Sequence, residues 1–128
     1  LGLVSCMAPA IAMGNRVILM ASQPYPLAAT DFIQVLETSD VPAGVVNILT
    51  GDCDAVAEPM AGHMDIDAVW CFGAGEMSGT VESASATNLK RTWVNNGLAR
   101  DWSSAAGQGR AFLDAATEVK NIWVPYGE

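Results

Sequence analysis

Asp67-Ala68-Val69-Trp70-Cys71-Phe72-Gly73-Ala74-Gly75 is a short apolar run closed by a glycine turn, and behind it Met77, Val81 and Ala84 recur at i, i+4 and i+7. The run reads as a strand and the recurrence as one face of a helix to about Thr87. Working outward, the same alternation repeats. Residues 1–13 are apolar nearly all round, which predicts a buried helix stopped at Gly14-Asn15. Residues 16–20, with Val17, Ile18 and Leu19, predict a strand. Past Pro24 and Pro26, the positions Leu27, Ala28, Phe32, Ile33, Val35 and Leu36 share one helical face over 27–38. Val41-Pro42-Ala43-Gly44 breaks that helix, 45–49 is the next strand, and Thr50-Gly51-Asp52 leads into a helix over 54–62. Residues 90–95 are a strand and 97–109 a loop. A helix is expected over 110–119 with Phe112, Ala115, Ala116 and Val119 inward, then a last strand at 121–125. Strands that alternate with helices, each a near-continuous apolar run, predict an α/β fold: a mostly parallel sheet with helices on both faces.

Composition excludes several classes of partner. The 128 residues are 51% hydrophobic and 16% charged, which fits one folded domain and not a disordered chain. Six Lys+Arg stand against 14 Asp+Glu, a net charge of −8. Nucleic-acid binding needs a basic stripe to displace counterions, and an anionic membrane surface repels such a chain, so neither is expected as a partner. The apolar stretch 1–13 contains Pro9 and is too short to span a bilayer; Arg16 follows it, where a secretion leader would carry its basic residues first. Cys6, Cys53 and Cys71 are an odd count without metal-ligand spacing, and His63 has no second His or paired Cys beside it. No structural zinc or other metal site is expected, and a reducing, cytoplasmic setting is. A chain beginning on Leu1 within an apolar run is expected of a start inside a longer polypeptide.

Local chemistry exposes no active site. Gly73-x-Gly75 between a strand and a helix could cradle a phosphate on bare backbone N–H groups, but the pattern is incomplete and Glu76 follows it, so a plain glycine turn is favoured. Asp52, Asp54, Asp65 and Asp67 fall at element ends, where helix capping accounts for Asp better than metal or acid–base chemistry. His63 reads as a solvated or capping residue. Cys53 lies between two aspartates that disfavour its thiolate, and Cys71 reads as core. Trp70, Trp93 and Trp123 sit in expected strands and are assigned to packing.

Four phrases in register resemble one family, the NAD(P)-dependent aldehyde dehydrogenases. They are Pro9-Ala10-Ile11-Ala12-Met13-Gly14-Asn15-Arg16-Val17-Ile18, Val41-Pro42-Ala43-Gly44-Val45-Val46-Asn47-Ile48-Leu49-Thr50-Gly51, His63-Met64-Asp65-Ile66-Asp67 and Asn88-Leu89-Lys90-Arg91. The resemblance covers residues 1–97 and implies a degenerate, Rossmann-like segment of a cofactor domain there. Residues 98–128 do not look like the standard continuation. They resemble the degenerate second module of aldehyde dehydrogenase family 16, and are expected to form a packing or assembly tail of loop, helix and C-terminal strand.

The departures from the family fall on its working residues. Where the resemblance puts Lys-Pro-Ser-Glu, which holds the adenosine ribose, this chain has Met20-Ala21-Ser22-Gln23. The Phe-Thr-Gly-Ser turn at the pyrophosphate matches Cys71-Phe72-Gly73-Ala74, without its hydroxyls. Met20, Ser22, Gln23, Gly73 and Ala74 therefore mark a degenerate cofactor site. The general-base Glu of a Glu-Leu-Gly-Gly phrase matches Asn95 in Asn95-Asn96-Gly97-Leu98, and Asn offers no titratable proton acceptor near neutrality. None of the cysteines matches the family's nucleophile, and its oxyanion Asn would lie before Leu1. No catalytic residue and no bound cofactor are expected. The resemblance thus implies a non-catalytic structural or oligomerisation module that packs on a dehydrogenase catalytic unit or on other copies of its parent, as a homo-oligomer. The alternative is an NAD(P)-binding fragment of an active enzyme oxidising an aldehyde to an acid.

Overall fold

The computed structural model describes residues 1–127. Four strands form where the apolar runs place them: β1 (Val17–Met20), β2 (Val46–Leu49), β3 (Ala68–Cys71) and β4 (Arg91–Val94). Five α-helices alternate with them: α1 (Gly2–Ala12), α2 (Leu27–Glu37), α3 (Cys53–Gly62), α4 (Gly75–Ser85) and α5 (Arg110–Ala115), with short 3-10 turns at Ala86–Asn88 and Ala105–Gly107. β1 pairs in parallel with β2, from Val17↔Val46 to Met20↔Leu49, and β3 in parallel with β4, from Ala68↔Arg91 to Cys71↔Val94. Each pair is joined by one helix, so the α/β, Rossmann-like expectation holds. The ladder, however, is divided into two two-stranded parallel sheets, where the sequence led us to expect one.

The two faces of the β3–β4 pair bury different chemistry, because successive side chains alternate between faces. Cys71 packs with Ala61 of α3 and Val81 of α4 in the aliphatic core, and Val69, Met77, Ala84 and Val94 close around it. The opposite face is aromatic. Trp70 and Trp93 meet edge-on at 5.3 Å between ring centroids, Phe72 meets Trp93 at 5.1 Å, and Phe112 of α5 lies 4.9 Å from Trp93. Edge-to-face rings of this kind attract through their quadrupoles as well as by burial. Trp102 joins from the loop, 5.3 Å from Phe72, and its ring lies so close to α1 that a Cβ on Gly2 would approach it to 2.9 Å.

A cation sits in this aromatic cluster. The Arg100 guanidinium lies over Phe72 at 4.7 Å, Trp93 at 5.0 Å, Phe112 at 5.5 Å and Trp102 at 5.6 Å. It also donates to the Ala106 carbonyl at 2.8 Å, which folds the loop back on itself. In a chain with more than twice as many acids as bases, this Arg is held by rings and a carbonyl. The aromatic side pins the loop and α5 onto β3–β4.

Three expectations at the C-terminal end are corrected. The helix expected over 110–119 ends at Ala115, because distant side chains capture its last carbonyls: the Arg91 guanidinium donates to Ala115 and Thr117, and the Asn15 amide to Ala116 at 2.8 Å. Phe112 and Ala116 are buried as expected, but Val119 is 88% exposed. Residues 121–125 form no strand, since no ladder among the described residues receives them, and Trp123 is exposed instead of packed.

Phe112 is 2% exposed and carries the contact between α5 and the aromatic face. Phe112→Ala is expected to lower the unfolding free energy by about 3–5 kcal/mol, and Arg100→Met by about 1–2 kcal/mol. Urea melts followed by Trp fluorescence measure both, and unchanged midpoints would contradict the assignment.

Candidate functional site

In open parallel sheets ligands bind beyond the carboxyl ends of the strands, where helix N-termini also point. The residues singled out from sequence fall there, in two groups. Met20 ends β1, Ala21 is buried behind it, and Ser22 and Gln23 follow at the surface. Gln23 Nε2 donates to Asp52 Oδ1 at 3.2 Å, and the same oxygen accepts the Asp54 backbone N–H at 3.0 Å as the N-cap of α3. The Cys53 thiol donates to the Ala21 carbonyl at 3.9 Å. Ala21 and Gln23 are therefore stitched to the start of α3, and the capping role expected of Asp52 is the one it performs.

The second group gathers Gly73, Ala74 and Asn95. Ala74 is the N-cap of α4 and supplies no capping side chain. Asn96 and Gly97 both adopt left-handed backbone, at φ 51° and 76°, and this turn lies against the α4 N-terminus. A Cβ on Gly97 would come within 2.9 Å of the Gly75 nitrogen and 3.2 Å of its Cα, so backbone packs on backbone with no space for one more carbon. Asn96 N–H donates to the buried Ser78 Oγ at 3.2 Å and fixes the turn on the first turn of the helix. The Asn95 backbone N–H donates to the Cys71 carbonyl at 3.3 Å, and its side-chain amide donates to the Leu98 carbonyl at 2.6 Å. Asn95 Oδ1 is buried without a partner. Among the described residues no hydrogen bond joins the two groups.

Neither group carries the side chains on which the resemblance places a dinucleotide. At the start of α4 the 96–97 turn packs on Gly75 and the Glu76 carboxylate complements the helix dipole, while Ala74, Gly75 and Glu76 are themselves exposed. Ribose hydroxyls would need the charged pair that Met20 and Gln23 do not provide, and the Gln23 amide is engaged by Asp52. Sequence reasoning passed over the 96–97 turn and Ser78. The signal for the turn was present, since Asn-Gly is the pair that tolerates left-handed backbone most readily. Ser78 gave none, because only the fold brings it to Asn96.

The remaining candidates resolve into structure. His63 is the C-cap of α3 and its Nδ1 accepts the Asp65 backbone N–H at 3.2 Å. Among the described residues no cluster of His, Cys, Asp and Glu could hold a metal. Burial pushes the Cys6 thiol up to about 11, with Arg100 pulling the other way. Cys53 is raised by burial and then by Asp54 and Asp52, and Cys71 by burial against the Gly73 backbone hydrogen bond. No activated thiolate is present among them. Two grooves lie elsewhere, the second touching the first group only at Asp54. One of about 320 Å³ sits at the amino ends of the strands among Asn15, Asp67, Arg91 and Lys120; another of about 580 Å³ runs between α3 and α4.

Comparison with known proteins gives a consistent picture. Residues 2–99 match the aldehyde dehydrogenase family. An aldehyde dehydrogenase-like protein of Schizosaccharomyces pombe is 31% identical over 123 residues, 94% of this chain and 23% of its own length. An aldehyde dehydrogenase of Aspergillus niger is 33% identical over 93% of this chain and 23% of its own. The NADP/NAD-dependent aldehyde dehydrogenase PuuC of Escherichia coli is 33% identical over 74% of this chain and 20% of its own. The crystal structure of an aldehyde dehydrogenase from Bartonella henselae superposes with a TM-score of 0.66 at 26% identity, covering 70% of this chain and 19% of that one. The chain thus spans about a fifth to a quarter of the length of these relatives. The family match ends at residue 99, and the alignments with the two fungal proteins cover 94% and 93% of the chain.

The Cys6 shift makes a pH-dependent prediction. Its folded value of about 11 lies above the ordinary 9.0, so the fold accepts the neutral thiol: this contribution to stability is whole below about pH 9 and is lost as pH rises through about 11. Urea midpoints are expected to fall over that window, and less steeply in Cys6→Ala. Identical slopes in the two proteins would contradict it.

Proposed function

The chain belongs to the aldehyde dehydrogenase family, and from that premise we propose that it is a non-catalytic structural or oligomerisation module of an aldehyde dehydrogenase-like protein. One observation carries the proposal. The polar group at the carboxyl end of β4, where the resemblance puts the family's general base, is the Asn95 amide, and it is tied to the Leu98 carbonyl. An amide so held neither accepts a proton from water near neutrality nor swings toward a substrate. The start of α4 supports the same reading, because Ala74 brings no hydroxyl and Glu76 puts a negative charge where a phosphate would sit.

In this reading the α/β scaffold is kept for its surface. It packs on a dehydrogenase catalytic unit or on other copies of its parent, forms a homo-oligomer, and needs no cofactor of its own. Free Cys6, Cys53 and Cys71 support a reducing, cytoplasmic setting, and no helix among the described residues is long and apolar enough to cross a membrane. The competing possibility is an NAD(P)-binding piece of an active enzyme that oxidises an aldehyde to an acid.

Titration calorimetry of the purified chain with NAD and with NADP separates the two. The proposal expects no saturable heat with either dinucleotide. Binding at about micromolar strength, roughly −8 kcal/mol, would overturn it in favour of the cofactor-binding piece.

A further inference from the structure

Asn96-Gly97 is the one Asn-Gly pair in the sequence, and the fold sets it in a tight turn. The Leu98 N–H donates to the Asn95 carbonyl at 3.0 Å, and the two residues between have φ of 51° and 76°. Both are exposed. Among the described residues the Asn96 side-chain amide makes no hydrogen bond, and the Gly97 N–H donates to no acceptor. An amide carbon and the peptide nitrogen that follows it are an electrophile and a nucleophile within reach of ring closure. Gly97 has no Cβ to shield that nitrogen.

The other five asparagines differ on one count or on both. The amides of Asn15, Asn47, Asn88 and Asn95 all donate to backbone carbonyls, and none of the four precedes a glycine. Asn121 is exposed, but the β-branched Ile122 follows it and crowds its nitrogen.

We propose that Asn96 is a site of spontaneous covalent modification, a deamidation that releases the 96–97 turn from α4. The Gly97 nitrogen gives its proton to solvent base and bonds to Asn96 Cγ. The bond from Cγ to Nδ2 breaks, and Nδ2 takes a proton from water and leaves as ammonia. The product is a cyclic succinimide, which a water molecule then opens. Breaking the bond between Cγ and the ring nitrogen gives aspartate. Breaking the bond between the main-chain carbonyl carbon and that nitrogen gives isoaspartate, whose main chain runs through Cβ and Cγ. Water is the only co-reactant, and nothing is oxidised or reduced.

Either product puts a new negative charge on the turn that packs against the start of α4, where Glu76 already stands. Isoaspartate also lengthens the main chain by one carbon. It does so at a contact where a Cβ on Gly97 would come within 2.9 Å of the Gly75 nitrogen, and one on Gly75 within 3.4 Å of the Asn96 carbonyl oxygen. The longer turn cannot keep Gly97 on Gly75 and also keep the residue 96 N–H on Ser78 Oγ, now 3.2 Å away. The turn lifts, and the link between α4 and the end of β4 is lost. Because ammonia leaves, the change runs one way.

Peptide mapping by mass spectrometry tests it, on the folded full chain held warm in mildly alkaline buffer. The expected result is exchange of NH2 for OH at Asn96 ahead of the other five asparagines, at a rate that rises with pH. Asn96→Gly suits the left-handed backbone and keeps the N–H to Ser78 but has no amide, so ammonia release is expected to fall at least ~10-fold. Conversion first at another asparagine would overturn the proposal. So would unchanged ammonia release from Asn96→Gly, or conversion at Asn96 only after urea has unfolded the chain. Hydrogen exchange of the separated isoaspartyl chain reads the release: protection of the residue 96 amide is expected to fall at least ~10-fold. Asn96→Asp carries the charge on a main chain of ordinary length and is expected to keep that protection. Equal protection in the isoaspartyl and unmodified chains would overturn the release, and equal loss in Asn96→Asp would overturn the part given to chain length. Dinucleotide binding bears on none of these outcomes, so this proposal and the functional reading stand or fall separately.

Discussion

The contact between Gly97 and Gly75 constrains the carboxyl end of the β3–β4 pair more than any charge or pocket does. Two backbones meet where a single added carbon would lie 2.9 Å from a peptide nitrogen. Such an approach needs a residue without a Cβ on the turn and a left-handed backbone to aim it, and Asn96-Gly97 supplies both. The contact sets the chain's own turn against the start of α4, whose Ala74, Gly75 and Glu76 are exposed. The Ser78 hydroxyl holds that turn in register, so helix α4 and the end of β4 form one unit.

The aromatic face does the corresponding work for the second half of the chain. The Arg100 guanidinium lies among rings from β3, β4, the loop and α5, elements that share no continuous sequence. Behind it, Arg91 and Asn15 close the end of α5 from strand β4 and from the turn after α1. Aliphatic packing against α3 and α4 secures one side of the pair, and cation–ring contacts secure the other. Between them they leave the β4 edge and the tail facing solvent.

Much of this was legible in the sequence, because it is written in local patterns. Runs such as Val17-Ile18-Leu19 and Val69-Trp70-Cys71 mark strands by their own residues, and Met77, Val81 and Ala84 mark the buried face of α4 by spacing. Gly73, Ala74 and Asn95 were singled out separately by the resemblance, and the parallel pairing of β3 with β4 is what brings them to one end. The end of α5 was not legible, since its carbonyls are taken by residues 24 and 101 positions away in sequence. Nor was the fate of 121–125: its residues have strand propensity, but a strand exists only beside a partner. The setting of Arg100 depends on four separate segments meeting, which no spacing rule encodes.

We propose that the start of α4 holds no dinucleotide, because Ala74 brings no hydroxyl and the Glu76 carboxylate repels a phosphate there. The most direct measurement is the backbone amide spectrum of the 15N-labelled protein as NAD is added. The Gly73, Gly75, Glu76 and Gly97 resonances should stay in place at every concentration. Saturable shifts confined to those amides would contradict the proposal, because they would report a phosphate at the start of α4.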